Sequence, residues 1–409
     1  MTRRPLVWLV DPHDNGHHPM YAAVYATAFA ALGADVLLVA PESLVHAMPH
    51  LGRAAVTVVP WDTTPILADP AVHVDEKAMR LWKSLGEVLD SNARVMDRYP
   101  DYLVHLFVDS FITELMPRSA VDAHVRCPFA GLWFKPPRPL GWSARDIAKR
   151  IVRWGRRYAA LRSPRWAAIL LLDTAGYGHL SPGGQPRIVG VPEFSVSSVP
   201  PVEPAIIKEI REHAAGRRIC SLVGSLEGRK GMRAFLRSAA VAPEDEWFFV
   251  IAGKAAWDTF DAESRETLER LRSGTDGRVY LADRWFDDET LNSVVAASGL
   301  LHACYDRWPY SSNMLCKAAA FRVPVIAAEE GYLGRETARY GLGFTVPEGR
   351  QMPGRFVTGF AADVASFRAQ PAFAEGCSKY VADNSPDALV ATLRQDLWGS
   401  IVAAAAQQT

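Results

Sequence analysis

Short unbroken apolar runs alternate along this chain with longer stretches in which apolar residues recur every three or four positions. The first run, Leu6–Val10, follows Pro5 and stops at Asp11. A run without polar interruption is the pattern of a strand buried on both faces of a parallel sheet. The polar turn Asp11-Pro12-His13-Asp14-Asn15-Gly16-His17-His18 leads to Pro19, which suits a first helical position because its missing N–H costs nothing there. Tyr21–Leu32 reads as a helix, Gly33 as its left-handed C′ residue, and Val36–Ala40 as the next strand. Further strands are expected at Ala55–Val59, Tyr102–Val108, Phe129–Phe134 and Ala168–Leu172. Pro182-Gly183-Gly184-Gln185-Pro186 then breaks the pattern, and Val199–Pro204 reads as a semi-rigid linker. The alternation resumes with strands at Ile219–Val223, Phe248–Ala252, Val279–Leu281, Leu300–Cys304 and Val325–Ala327. Leu389, Leu393 and Leu397 form an i, i+4 stripe that predicts helix over Pro386–Ala405.

Two βαβ series predict two doubly wound domains, 1–185 and 186–375, followed by helices over 376–409. The length of 409 residues favours the same division, since one hydrophobic core stops growing well below it. Forty-five Lys and Arg balance forty-five Asp and Glu, so no global field recruits nucleic acid. Five cysteines without CxxC spacing, Cys220 and Cys304 within apolar runs, read as buried thiols of a reducing, cytoplasmic compartment. No signal peptide is evident, and no apolar run is long enough to cross a bilayer.

Ligands of doubly wound sheets bind beyond the carboxyl ends of the strands, where the strand order reverses. The loop after the first strand carries one glycine, Gly16, and not the GxGxxG of dinucleotide enzymes, which disfavours an oxidoreductase. His17 and His18 in that loop either touch substrate or hold the turn, and no third ligand at metal spacing supports zinc. Asp109 and Lys135 follow later strands and are candidates for acceptor contact, the alternative being solvated loop charges. From Arg145 to Arg165, eight Lys and Arg face one acid, Asp146, beside an Ile147/Ile151/Trp154/Tyr158/Leu161 stripe. Such a segment packs on its own domain, receives an anionic acceptor, or makes weak peripheral contact with a membrane. Packing is favoured, because one short helix with few large apolar residues holds a membrane weakly.

The second half carries a run of signals in order. Gly224-Ser225-Leu226-Glu227-Gly228-Arg229-Lys230-Gly231 follows a strand, then Phe248–Gly253, Arg278–Leu281 and Asp288–Leu291. Tyr310-Ser311-Ser312-Asn313, Pro324–Ala327 and Tyr340-Gly341-Leu342-Gly343 complete it. Together they resemble the nucleotide-sugar-binding half of GT-B glycosyltransferases, especially the large retaining family 4 (glycosyl transferases group 1), with sucrose and lipopolysaccharide glycosyltransferases.

The resemblance implies two Rossmann-like domains facing a central cleft and transfer of a sugar from a nucleotide-sugar to a hydroxyl acceptor, retaining and without metal or cofactor. It places Lys230 at the donor diphosphate, with Arg229 beside it offering a planar fork; His17, at the open edge of the first sheet, is a candidate catalytic contact. Gly16, Gly224, Ser225, Ser311, Ser312, Asn313, Lys317 and Glu329 become donor-binding candidates; His18, Asp109 and Lys135 face the acceptor. Ser311, Ser312 and Asn313 are residue types that cap a helix, whose N-terminus attracts anions. The chain departs from the family at its paired glutamates, which align with Pro309 and Lys317, and a lysine cannot accept from ribose hydroxyls. Glu329 or Glu330 would then take that role. A silent glycan- or partner-binding GT-B protein and a sugar-nucleotide epimerase remain the alternatives to a transferase of glycan biosynthesis.

Overall fold

The computed structural model describes residues 3–48, 53–137, 158–273, 277–347 and 349–407. It divides into two compact units, Met1–Pro192 with Pro386–Thr409, and Glu193–Ser385. Each is a parallel sheet with helices.

The first unit holds seven parallel strands in the order β3-β2-β1-β4-β5-β6-β7. They are β1 Leu6–Val10, β2 Asp35–Ala40, β3 Thr57–Pro60, β4 Tyr102–His105, β5 Phe129–Trp133, β6 Trp166–Leu171 and β7 Arg187–Gly190. The order reverses at β1, where Leu9 faces Leu38 on one side and Val104 on the other. Helix α1, His18–Leu32, starts one residue before Pro19 and ends at Gly33, whose φ of 95° suits glycine. Helix α2, Val74–Met96, buries Ala78, Leu81, Trp82, Leu85 and Leu89 at helical spacing, and the Trp82 indole donates to the Phe111 carbonyl. The strand expected over Tyr102–Val108 stops at His105 because Val108–Ser110 turns into a 3-10 helix.

Of the basic segment, residues 145–157 lie outside the described residues; Ala159–Arg162 forms a 3-10 turn before β6. Among the described residues no helix is long and apolar enough to cross a membrane.

The second unit has six parallel strands in the order β10-β9-β8-β11-β12-β13. These are β8 Arg218–Val223, β9 Trp247–Gly253, β10 Val279–Asp283, β11 Leu300–Ala303, β12 Val325–Ala328 and β13 Gly343–Val346. The reversal lies between β8 and β11. Helices α3 Ala205–Ala214, α4 Met232–Val241, α5 Asp288–Ala297, α6 Met314–Ala320, α7 Gly331–Tyr340 and α8 Pro371–Asp383 flank this sheet. All five cysteines are buried and unpaired.

The stripe over 386–405 is split at Leu397 into α9, Pro386–Asp396, and α10, Trp398–Gln407. Both return to the first unit, α9 against α1 and α10 against β4.

His105 is fully buried at the end of β4, its ring 4.6–5.4 Å from those of Phe111, Trp82 and Phe129. Neither ring nitrogen has a partner among the described residues, and burial lowers its pKa to about 3. It is neutral in the fold but free to protonate once unfolded. The neutral ring therefore favours the fold fully above about pH 6.5, and that contribution drains away as pH falls toward 3, at roughly 1.4 kcal/mol per unit. His105→Leu should be neutral or stabilising at pH 7, since it removes two orphaned polar atoms. It should also flatten the acid limb in denaturant midpoints taken at pH 7, 5 and 4. His17 and His302, with pKa values lowered by burial to about 3 and about 4, keep part of that limb.

Candidate functional site

At the reversal of the second sheet, β8 ends in the buried run Ile219–Val223 and the chain turns at Gly224, with φ at 92°. A short 3-10 turn, Gly228–Lys230, carries the two cations. Gly231 follows with φ at 76°, and a Cβ there would lie 2.1 Å from the Cys304 carbonyl oxygen. Only glycine lets the turn press so closely on the end of β11. Two bonds fix it there: Asp306 N–H donates to the Arg229 carbonyl at 2.7 Å, and His302 Nε2 donates to the Lys230 carbonyl at 2.8 Å.

The Lys230 side chain is buried, its ammonium donating to the Val223 carbonyl at 3.2 Å and lying 5.8 Å from the Tyr305 ring centre. Burial, and then the Arg229 charge, lower its pKa to about 8, with Glu227 opposing. An anion brought against it would favour the charged form. Arg229 is already committed: Nε and one terminal nitrogen bind the Glu227 carboxylate at 2.6 and 2.9 Å, and its guanidinium lies 3.9 Å from the Trp308 ring centre. Burial pushes the Glu227 carboxyl up, but the hydrogen bond and charge of Arg229 outweigh it and leave the pKa lowered. Exposed Ser225 donates to Glu227.

The Ser311-Ser312-Asn313 loop does not cap α6 through its side chains: Asn313 occupies the N-cap position with no side-chain bond. Ser311 hydrogen-bonds the buried Glu193 carboxyl instead, and Ser312 the Tyr305 phenol. Burial raises Glu193 to about 8, and its Oε2 has no partner among the described residues.

Lys317 stands apart from this group. It is buried, and its ammonium donates to Asn292 Oδ1 at 2.6 Å, Asp288 Oδ1 at 3.1 Å and the Val196 carbonyl at 3.3 Å. Its donors are spent on fastening residues 193–198 to α5, with Asn292 Nδ2 donating to the Val196 and Ser198 carbonyls. Glu329 is exposed beyond β12.

The reversal of the first sheet gathers a different set. Asp11, just past β1, is fully buried, and both its carboxylate oxygens lie 2.9 Å from His18 Nδ1. The His17 ring stacks on His18 at 4.9 Å and packs 4.7 Å from Phe134; its Nε2 is buried with no partner among the described residues. Burial first, then the charges of His18, Lys135 and His13, lower its pKa to about 3. His17 is a half-buried ring packed between His18 and Phe134. His13 Nε2 pairs with Ser110 Oγ at 2.7 Å. Gly16 is exposed in the same loop, with open space around its Cβ position and φ at 60°.

Asp109 accepts from the backbone N–H groups of Phe134 and Lys135 at 3.0 and 2.9 Å. Burial raises its pKa to about 6 against those bonds. Through these bonds it clamps two loops, while its side chain stays partly exposed. The Lys135 side chain is exposed.

The structure sets Lys230 by Tyr305, Arg229 by Glu227 and Trp308, His18 by Asp11 and Ser311 by Glu193, neighbours the sequence reading did not name as site residues. A carboxylate two residues from Arg229 and another seven from His18 were the signals available.

Among the described residues no group of three or more His, Cys, Asp or Glu could hold a metal ion. No protein-family model matches the sequence, and no curated protein matches it. Solved structures do resemble the fold. A glycosyltransferase from Rickettsia africae superimposes with a TM-score of 0.66 at 9% identity, covering 98% of this chain and 99% of that one. Sucrose-phosphate synthase from Thermosynechococcus elongatus gives 0.66 at 16% identity, over 98% and 100%. Anabaena HepE, solved with UDP and glucose, gives 0.62 at 13% identity, over 97% and 100%. The two Rossmann-like units are those of the GT-B fold.

Lys317→Met should lower stability by about 1–3 kcal/mol, since Asn292 Oδ1 and the Val196 carbonyl lose a buried donor. Denaturant midpoints of the variant and the wild type check this.

Proposed function

We propose that this chain is a glycosyltransferase whose second unit takes a nucleoside-diphosphate sugar and whose first unit takes the hydroxyl acceptor. The observation that carries the reading is Lys230. A buried ammonium at the reversal of a parallel sheet, backed by Gly224 and held by one carbonyl, suits a ligand that brings concentrated negative charge. Sugar transfer builds such charge on the departing diphosphate, and a preorganised cation there lowers the barrier without rearrangement at the moment of reaction. The likeness to HepE with UDP and glucose puts UDP-glucose first among donors to try.

In this reading Ser225, Ser311, Ser312 and Asn313 contribute to donor binding, which is supported by the bond of Ser312 to Tyr305 beneath the Lys230 ammonium. Arg229 serves it mainly by support, locked between Glu227 and Trp308. Retention of configuration, which the resemblance implies, draws less support, because neither Pro309 nor Lys317 offers a carboxylate.

Nucleoside diphosphates of uridine, guanosine, thymidine and adenosine should separate in a thermal-shift screen, the true ligand adding about 2.7 kcal/mol at a hundredfold its Kd. Lys230→Ala should fold normally, lose most of that shift, and turn over about a hundred- to a thousandfold more slowly, the cost of one lost transition-state donor. Arg229→Ala should show the same defect in smaller measure. Full turnover by Lys230→Ala would remove the reading.

A further inference from the structure

The carbonyls of Arg229 and Lys230 are both held from β11 and the loop after it. That of Arg229 receives the Asp306 N–H, whereas that of Lys230 receives a side chain, His302 Nε2, at 2.8 Å. A carbonyl can only accept, so the proton sits on Nε2. Burial lowers the His302 pKa to about 4, and the neutral ring has that one N–H to give. Nδ1, left with its lone pair, lies 3.0 Å from Met352 Sδ in the 3-10 segment Gly349–Arg355. Phe235 of α4 meets the ring edge-on at 5.3 Å. Gly231 makes the remaining room, since a Cβ there would come 2.9 Å from Nε2. Ring and thioether are both buried. An apolar side chain would fill this space without the penalty of a buried polar ring. The bond to Lys230 is therefore what the position gains from histidine.

We propose that His302 is the positioning residue of the Lys230 ammonium, fixing through its N–H the carbonyl of the residue from which that side chain departs. This rests on the reading of Lys230 as the cation that meets the donor diphosphate. The ammonium is held by the Val223 carbonyl, away from water, where it faces an anion as a poorly solvated charge. Without the His302 bond the Lys230 carbonyl is left buried and unpaired. The turn then relaxes toward water to satisfy it and carries the ammonium outward. Two quantities move together. Nucleotide affinity falls because the cation is no longer preorganised, and its pKa climbs from about 8 toward the ordinary lysine value of about 10.4. Arg229 and Glu227 face the ammonium from its own loop, and His302 and Tyr305 from β11 and the loop after it. Burial puts Tyr305 at about 12 and His302 at about 4, both outside the range from pH 7 to 8.5. Glu193, at about 8, sits on Ser311, and its contribution is common to every variant.

The test separates a lost donor from a damaged core. UDP is titrated into the full chain by calorimetry at pH 7 and 8.5, beside denaturant midpoints. An anion binds the charged form, so wild-type affinity should fall about fourfold over that span as a group of pKa about 8 gives up its proton. His302→Phe keeps a ring and loses the donor. Its Kd at pH 7 should rise about tenfold, in line with one lost hydrogen bond, and the fall toward pH 8.5 should flatten. His302→Gln carries an amide N–H that reaches the Nε2 position. It should hold Kd within about threefold of wild type and keep the fall. Met352→Leu, a volume-conserving change in the same core, keeps the donor and should bind as wild type does even where its midpoint drops. If His302→Phe does not fold, His302→Asn, whose amide sits on the Met352 side, takes its place. Wild-type affinity and pH response without the donor, or equal defects in His302→Gln or Met352→Leu, overturn the role of His302 and leave Lys230 as the donor cation. No binding of UDP, GDP, TDP or ADP by the wild type overturns both.

Discussion

A parallel sheet covered on both faces has little room for polar side chains along its strands, and both units obey that constraint. β1 and β9 are buried at every position. Polar chemistry is thereby driven to the strand ends, and the reversal of strand order decides which ends lie next to each other. In the first unit the loops after β1 and β4 meet, which joins His13 to Ser110 and sets His18 against Phe107. In the second, the loops after β8 and β11 meet, which joins Arg229 to Asp306 and Trp308 and sets Lys230 over Tyr305.

The two reversals solve different electrostatic problems with the same backbone plan. The second uses glycine to bring main chain within touching distance of main chain, so that a cation is buried with few competing partners. Its companion arginine is neutralised by Glu227 and flattened on an indole, which leaves Lys230 as the concentrated charge. The first buries Asp11 together with the imidazole it holds. One reversal therefore presents a buried cation, and the other a buried carboxylate paired with an imidazole.

The strands could be read from the sequence because burial on both faces removes nearly every polar interruption: Leu6–Val10 has none, and Ile219–Val223 has one, Ser221, which is paired with Ser298. Short or glycine-bearing strands escaped: β13 begins at Gly343 and offers too little apolar length. Tyr102–Val108 looked like one strand because its composition stays apolar through the 3-10 turn. Lys317 could not be placed from sequence, since nothing local reveals that Asn292, Asp288 and the Val196 carbonyl converge on it. Asp109 was visible as a charge after a strand, but its burial depends on where Phe134 and Lys135 turn. Asp11 was hidden in plain view at the end of β1, its meaning set by a helix start seven residues on.

The return of α9 and α10 to the first unit bears on how the protein is made. Residues 386–407 follow the whole second unit in the chain, yet Leu389, Leu393 and Ile401 are buried among residues of the first. Tyr102 on β4 has its hydroxyl against Ser400. At roughly 5–20 residues per second, a ribosome takes on the order of 10–40 s to pass through the second unit. Over that interval the face of α1 that α9 will cover stays open to water and to other chains. The earlier-made half is thus the later-finished one, and chaperone demand during synthesis falls on the unit that begins the sequence.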